Sequence, residues 1–321
     1  MKRLLALALA LTLSGCLSID FDPPHVVQTP RILGISADPP EIAFGQDVLF
    51  EALLVDEDGS DLATAPGVEL RFMACVSLRA IVSAAGLGSG GQTDNCSEGG
   101  DDLVRLETGG DLPPGAARLP GSALLRLAEG LSMGGEPPPG EQALDPELAQ
   151  TLAAVIALVG VPLRLRLEVW RDGEQILVGT KRFAITQRAM PTTNPPPPRF
   201  RVGETWLSAR DGDDPHLCVP EAEEAVVEAG AEITITPDEN EEAWIESYPA
   251  IDLSAGLVTN EESAYYSWFS TGSAFSADVT QRPLREVTWT APEEPGTYPI
   301  WLVVRDGHLG ASWCRADVRV R

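Results

Sequence analysis

The chain has 321 residues and carries 48 acidic against 23 basic side chains, a formal net charge of -25. A surface so negative, with no basic cluster, repels phosphate backbones and anionic headgroups, which excludes nucleic acid as a partner and a purely electrostatic hold on a membrane. The length suits two domains of ordinary size.

Lys2 and Arg3 open the chain, Leu4 to Leu13 is an apolar run interrupted by Thr12 alone, and Ser14-Gly15 precede Cys16. The run is too short for a membrane-spanning helix, which needs about 20 residues, so residues 1–15 read as a leader that is removed. This pattern resembles a bacterial lipoprotein signal. The resemblance implies that Cys16 becomes the first residue and carries acyl chains such as palmitate. One acyl chain binds a membrane only marginally, and the several chains that the resemblance implies attach the protein stably. Leu17, not aspartate, follows the cysteine. By resemblance to known sorting rules this implies the bacterial outer membrane, with the protein facing either the periplasm or the cell exterior. Four cysteines remain in the exported body: Cys75, Cys96, Cys218 and Cys314. An even number outside the cytoplasm points to disulfides, with three connectivities open.

Residues 16–30 form a polar, Pro-containing tether that needs no fold of its own. Residues 31–189 read as the first domain. Ile32, Leu33 and Ile35 lead into Asp38-Pro39-Pro40, and Val48 to Val55 is β-rich and closes at Asp56-Glu57-Asp58-Gly59, giving strand, turn, strand, turn. The aspartates of that turn, Asp56, Asp58 and Asp61, make an oxygen-rich loop of the kind calcium uses. No glutamate closes the loop and its flanks read as strands, so a polar turn competes with the metal site. Val68, Leu70, Phe72 and Ala74 alternate with charged or flexible neighbours up to Cys75, placing one apolar face inward. An insert over residues 80–160 follows. Ala84 to Gly110 is rich in Gly, Ser, Asp and Asn and reads as a long loop. Its Gly86-Leu-Gly88-Ser-Gly90-Gly91 run lacks the strand and helix of a phosphate-binding turn. Asp145-Pro146-Glu147 then opens a helix, with an N-cap acid, Pro at the first helical position, an apolar face through Leu148, Leu152, Val155, Ile156 and Val159, and a stop at Gly160. Leu163 to Val169 alternates, Arg171-Asp172-Gly173 turns the chain, and Gln175 to Thr186 returns as a β-hairpin.

Met190 to Arg199 contains four consecutive prolines and reads as an extended, semi-rigid linker. Residues 200–321 form the second domain, which echoes the first. Ala225-Val-Val-Glu-Ala-Gly230 before the strand at Glu232 repeats the pattern of Pro40-Glu-Ile-Ala-Phe-Gly45 before the strand at Val48. Arg305-Asp306-Gly307 echoes Arg171-Asp172-Gly173 before a closing strand. Asp211, Asp213 and Asp214 are a weaker acidic cluster, and Asp238 to Glu242 reads as a solvated acidic loop.

Tyr266-Ser-Trp268-Phe269, Trp289-Thr-Ala-Pro292, Gly296-Thr-Tyr298 and Val303-Val-Arg-Asp-Gly307 resemble the PKD-like and related Ig-like repeats of predicted bacterial lipoproteins. The resemblance implies an all-β chain of two Ig-like β-sandwich domains in tandem, the first with a helical and loop insert. Phe72 stands on the first domain's middle strand where such a domain would carry a tryptophan. With two cysteines per domain, and with the first and last strands of such a sandwich side by side, the pairing implied is Cys218 to Cys314 and Cys75 to Cys96. The family implies adhesion, spacing or display toward an unknown envelope protein or glycan, with no cofactor beyond calcium and no catalysis. The inventory for catalysis is thin: His25, His216 and His308 fall in a tether, a strand start and a hairpin turn, and no G-x-S-x-G, H-E-x-x-H or C-x-x-C occurs. The alternative reading is a surface hydrolase acting on glycan or peptidoglycan through paired carboxylates, with Trp170, Trp206 or Trp244 stacking on sugars.

Overall fold

The computed structural model describes residues 24–76, 103–125, 145–210, 214–252 and 254–321. Cys16, Cys96, Asp211, Asp213 and the glycine run at 86–91 lie outside the described residues.

The first sandwich contains β1 (Arg31–Asp38), β2 (Glu41–Ile42), β3 (Val48–Val55), β4 (Val68–Cys75), β5 (Leu103–Arg105), β6 (Glu107–Thr108) and β7 (Ala116–Leu119). Helix α1 (Pro146–Leu158) and strands β8 (Val161–Arg171) and β9 (Glu174–Ile185) complete it. One sheet runs β1-β3-β7-β6 and the other β2-β9-β8-β4-β5. That is the two-sheet order of an immunoglobulin domain, with β4 as the central strand that bears the core aromatic. Phe72 on β4 is fully buried among Phe50, Phe183, Leu165 and Leu167.

The helix is legible residue by residue. Asp145 Oδ1 accepts from the amides of Glu147 at 3.0 Å and Leu148 at 3.4 Å, satisfying amides that have no partner inside the helix. Pro146 occupies the first turn, Leu152 and Ile156 face the core, and Gly160 takes the left-handed φ of 84° just beyond the end. The hairpin β8–β9 turns on Asp172 (φ 52°) and Gly173 (φ 87°), the paired positive angles of a two-residue turn matched to strand twist.

The expected insert over residues 80–160 needs correction. Leu103 to Leu119 is not loop: β7 pairs with β3, β6 with β7 and β5 with β4, so this stretch closes both sheets. Strands of two to four residues among Gly and Pro leave no alternation to detect. Among the described residues, α1 lies outside the strand order of both sheets.

The second sandwich contains β10 (Phe200–Val202), β11 (Thr205–Ala209), β12 (Cys218–Pro220), β13 (Val226–Val227), β14 (Glu232–Pro237), β15 (Ser247–Asp252) and β16 (Gly256–Glu261). It ends with β17 (Tyr265–Ser270), β18 (Val279–Gln281), β19 (Val287–Thr290), β20 (Gly296–Arg305) and β21 (Ala311–Val320). Its sheets run β12-β11-β10-β14-β19 and β13-β21-β20-β17-β18, with β15–β16 as a separate two-stranded ribbon. Trp268 on β17 is fully buried at the position that Phe72 fills in the first sandwich. The repeated apolar pair has a structural meaning. Glu41–Ile42 and Val226–Val227 each run parallel to the last strand of their own sandwich, and Gly45 (φ 87°) and Gly230 (φ 67°) then turn the chain into the opposite sheet.

The repeated Arg-Asp-Gly does not fold alike. Asp172 sits exposed in a two-residue turn, whereas the loop from Asp306 to Gly310 is longer and Asp306 is 1% exposed. Its carboxylate accepts from the amides of His308 (2.7 Å) and Gly310 (2.6 Å). The acidic loop at 238–242 is likewise not wholly solvated. Glu241 is fully buried and takes Arg285 at 2.7 Å, Arg282, and the Tyr266 hydroxyl at 2.7 Å. A buried carboxylate without such partners would be strongly unfavourable, and periodicity gives no sign of partners 25 to 44 residues away.

Candidate functional site at the domain junction

The two sandwiches are packed together. On β20, Ile300, Leu302 and Val304 face the inner core, while Trp301 and Val303 on the opposite face join Val27, Leu33, Val55 and Trp313 in a separate buried cluster. Leu33 and Val55 come from β1 and β3 of the first sandwich, so this cluster is a core between domains. The sequence carried a sign of it. Ile300-Trp-Leu-Val-Val304 is continuously apolar where a half-exposed strand would alternate, the pattern of a strand buried on both faces. Close approach needs small residues: a Cβ on Gly34 would stand 3.3 Å from the Trp313 ring, and one on Gly59 3.0 Å from Pro299 and from Thr271.

Two expectations about spacing change accordingly. The tether is not free along its whole length. The Val27 amide donates to Ser270 O at 2.8 Å, the Ser270 amide donates to His25 O at 3.0 Å, and Val27 is 1% exposed. Nor does the proline linker hold the domains apart. Pro195 and Pro198 are buried, Asn194 donates to Ala37 O at 2.8 Å and accepts from the Ala311 amide at 3.1 Å. Polyproline stiffness extends a chain in solvent, but here apolar burial on both sides folds the linker into the seam.

A groove of about 620 Å³ opens along this seam, lined by Glu51, Asp61, His216, Trp301, Trp313 and Arg315 among others. His216 of the second sandwich stacks on Trp313 (4.8 Å between ring centres) and sets Nε2 3.3 Å from Glu51 Oε2 of the first. Asp214 Oδ1 fixes the approach by accepting from the His216 amide at 2.8 Å. Burial opposes a charge on this imidazole, but the Glu51 hydrogen bond and charge outweigh it and raise its pKa above 6.5.

A second polar knot crosses the seam. Glu41, 1% exposed, accepts from the Thr192 amide at 2.9 Å, pairs with Arg188 and lies 3.3 Å from His308 Nε2. Burial would raise its pKa, but these three donors hold it below the ordinary 4.5. Close by, Glu262 is 4% exposed, and its Oε1 has no hydrogen-bond partner among the described residues. Burial first, then the charges of Asp306, Glu246 and Glu41, push its pKa up to about 8.

These groups set a pH dependence with a definite sign. His216 favours the folded, docked state through its charged form, so its contribution is complete below 6.5 and lost as pH rises through its raised value. Glu262 favours it through its neutral form, so its contribution is complete below 4.5 and lost as pH rises through about 8. The melting temperature should therefore fall between pH 5 and pH 8. Replacing Glu262 by Gln, which mimics the protonated acid, should flatten that fall, and His216→Ala should remove a further part. A profile that is level or rises over this range, or one that Glu262→Gln leaves unaltered, contradicts the assignment.

The aspartates of the candidate calcium turn are engaged otherwise. Asp56 pairs with Arg171, Asp58 Oδ1 accepts from the Ser60 amide at 2.9 Å, and Asp61 Oδ1 accepts from the Ala63 amide at 2.9 Å as the cap of a short 3-10 turn. Among the described residues, no group of three or more His, Cys, Asp or Glu side chains is placed to hold a metal ion. The turn instead presses Gly59 onto the second sandwich. The cysteines Cys218 and Cys314 form a disulfide, and Cys75 is also disulfide-bonded. The tryptophans offered for sugar stacking are half-buried, each against a neighbour. Arg71 lies 4.2 Å over Trp170, Arg199 lies 4.0 Å over Trp206, and Trp244 packs on the second core. In the groove, Trp301 and Trp313 are 1% and 3% exposed. Glu51 faces His216 and Asp317 lies 3.1 Å from Arg315, while Asp61 and Asp214 accept from the Ala63 and His216 amides.

No protein-family model and no curated protein matches this chain. Solved structures do. A nucleoside hydrolase-related hypothetical protein from Saccharophagus degradans is 15% identical with a TM-score of 0.23, over 40% of this chain and 26% of that one. The FN1-FN3 domains of chicken CNTN1 are 7% identical with a TM-score of 0.22, over 93% of this chain and 68% of that one. The D00-D0 domain of intimin is 11% identical with a TM-score of 0.21, over 91% and 98%. This chain thus spans about a quarter of the first of these structures and nearly all of the last. The order of the strands makes the two units Ig-like, and likeness at such scores adds nothing about activity.

Proposed function

We propose that this chain is a lipid-anchored protein of the bacterial outer membrane whose two fused sandwiches display a binding surface, with no catalytic role. The leader carries the anchoring part of this reading: Lys2-Arg3, the apolar run to Leu13, and Ser14-Gly15 before Cys16. The docking of His25 to Val27 on β17 supports the display part. Only residues 17–23 separate Cys16 from Pro24, where the described chain begins. Seven extended residues span at most about 25 Å, so the body would ride close to the lipid surface as one unit and not on a long leash. A short leash under a rigid body suits display. Among the described residues no helix is long and apolar enough to cross a membrane. An envelope protein or glycan is the partner class this location would offer.

Exchange of Cys16 for Ser tests the anchor. The parent should partition into the detergent phase with the mature body beginning at Cys16, and the variant should appear in the aqueous fraction or keep its leader. A variant that is processed at the same bond and stays in the detergent phase would overturn the proposal.

A further inference from the structure

The ribbon of β15 and β16 belongs to neither sandwich's sheets: among the described strands, each of the two pairs only with the other. Successive side chains of a strand point to opposite faces, and the inner face is held to the body by Tyr248, whose ring stacks on His308 at 3.7 Å between centres. The outer face is inverted in polarity. Ile251 and Leu257 stand directly opposite each other on it and are 54% and 58% exposed, while Ala250 and Val258 of the inner face are half-buried. A two-stranded ribbon is marginal in water by itself, and a third strand with cover for its apolar side chains is what completes it.

The two edges of the ribbon are not equivalent. At its root the Glu262 amide donates to Glu246 O at 2.9 Å, which makes these residues a hydrogen-bonded pair. Pairs in an antiparallel ladder alternate, so Ser247 with Glu261, Pro249 with Thr259 and Ile251 with Leu257 are the non-bonded pairs, and their backbone groups point outward. On β15 one of these positions is a proline, which has no N–H to offer an incoming strand. On β16 they are Leu257, Thr259 and Glu261, whose outward amides and carbonyls meet no other backbone group among the described residues. The charge of the ribbon is one-sided as well. Asp252 and Glu261 are exposed, and no Lys or Arg occurs between Arg210 and Arg282.

We propose that the outer edge of β16 takes up an extended, basic polypeptide segment as a third strand, with an apolar side chain of the partner against Ile251 and Leu257 and a lysine or arginine, four residues along the same face, against Glu261. Main-chain bonds to Leu257, Thr259 and Glu261 supply the hold, and the alternate side chains supply the selectivity. A second copy of this chain is a poor occupant. It would bring another acidic edge against Glu261 and a second strongly acidic body beside the first. This partner class rests on the reading of the two sandwiches as a display body and uses nothing of the lipid anchor, whose own test is the phase partition of Cys16→Ser.

Titration of the full-length protein in detergent with a short Thr-rich peptide that carries Lys and Val four residues apart tests it. Saturable binding of one peptide per chain is expected. Amide exchange should slow at least about fivefold at Leu257, Thr259 and Glu261, the scale of one net hydrogen bond, and less at Val258 and Asn260, whose amides already bond within the ribbon. The double variant Ile251→Ser/Leu257→Ser changes no charge and should weaken binding at least about tenfold through lost apolar burial. Thr259→Pro removes one outward amide, spares the ribbon's own ladder and should weaken it to a similar degree. The same peptide with Glu in place of Lys should not bind. Absence of saturable binding at 1 mM, unchanged affinity in either variant, or equal affinity for the Glu peptide would refute the site. A parent that sediments as a dimer, dispersed by Ile251→Ser/Leu257→Ser, would assign the edge to a second copy and equally refute it.

Discussion

Trp301→Ala should lower the stability of the protein by about 3 to 5 kcal/mol, the range for emptying a large buried aromatic site, and should turn one cooperative melting transition into two. Trp301 is 1% exposed and lies in the cluster shared by both sandwiches and by Val27, not in either sandwich's own core. Its loss therefore removes coupling, and the shift on the order of 10 °C for the domain that separates first follows from the size of a domain of this length. Trp268→Ala is the informative control. That residue sits in the inner core of the second sandwich, so its removal should destabilise that sandwich to a similar degree. Scanning calorimetry distinguishes them. A single transition for Trp301→Ala within about 2 °C of the parent, a shift worth under about 1 kcal/mol, would mean that the sandwiches are not held together through this cluster.

Loss of the bond between Cys218 and Cys314 should have a comparable effect. The cysteines are 96 residues apart in sequence, so the bond closes nearly the whole second domain into a loop. The entropic model gives about 4.7 kcal/mol for a loop of some 100 residues. In the fold, the bond ties β21, the last strand, to β12, the outermost strand of the opposite sheet, which pairs only with β11 among the described strands. The double exchange Cys218→Ser/Cys314→Ser should thus cost about 4 kcal/mol and loosen β12 first, visible as faster amide exchange from Cys218 to Pro220 than elsewhere in that sheet. Non-reducing peptide mapping offers a separate check, because a peptide joining Cys75 to Cys218 is incompatible with the bond. Unchanged melting on complete reduction would show that the folded chain holds β12 without it.

Much of this architecture was legible before any fold was at hand. Asp145-Pro146 and Gly160 mark the two ends of one helix, because capping is a local bargain between a side chain and amides two or three residues away. Asp172-Gly173 sets a tight hairpin for the same reason, its two positive φ angles being a property of the turn itself. The two-domain organisation was legible in the repeated apolar pair and glycine, and the all-β class in the alternation of Val68 to Ala74 and Leu163 to Val169.

What local pattern could not reach is every feature that depends on residues far apart in the chain meeting at the seam. Asp306 and Asp172 follow the same arginine and precede the same glycine, yet one is buried and the other exposed, because the first packs beneath a neighbouring domain and the second faces water. Glu41 draws its partners from Arg188, Thr192 and His308, at separations of 147 to 267 residues. The Asp56 to Asp61 turn has the composition of an ion loop, and its carboxylates draw on two backbone amides and on Arg171 while Gly59 among them approaches Pro299 and Thr271 of the second sandwich. The sequence by itself determined the helix ends at Asp145 and Gly160 and the turn at Asp172-Gly173, which are settled by neighbours within a few residues. The tertiary structure alone decided that Pro195, Pro198 and Val27 of the linker and tether are buried and that β20 has two dry faces, because burial and charge pairing are set by distance in space, which one-dimensional spacing does not encode.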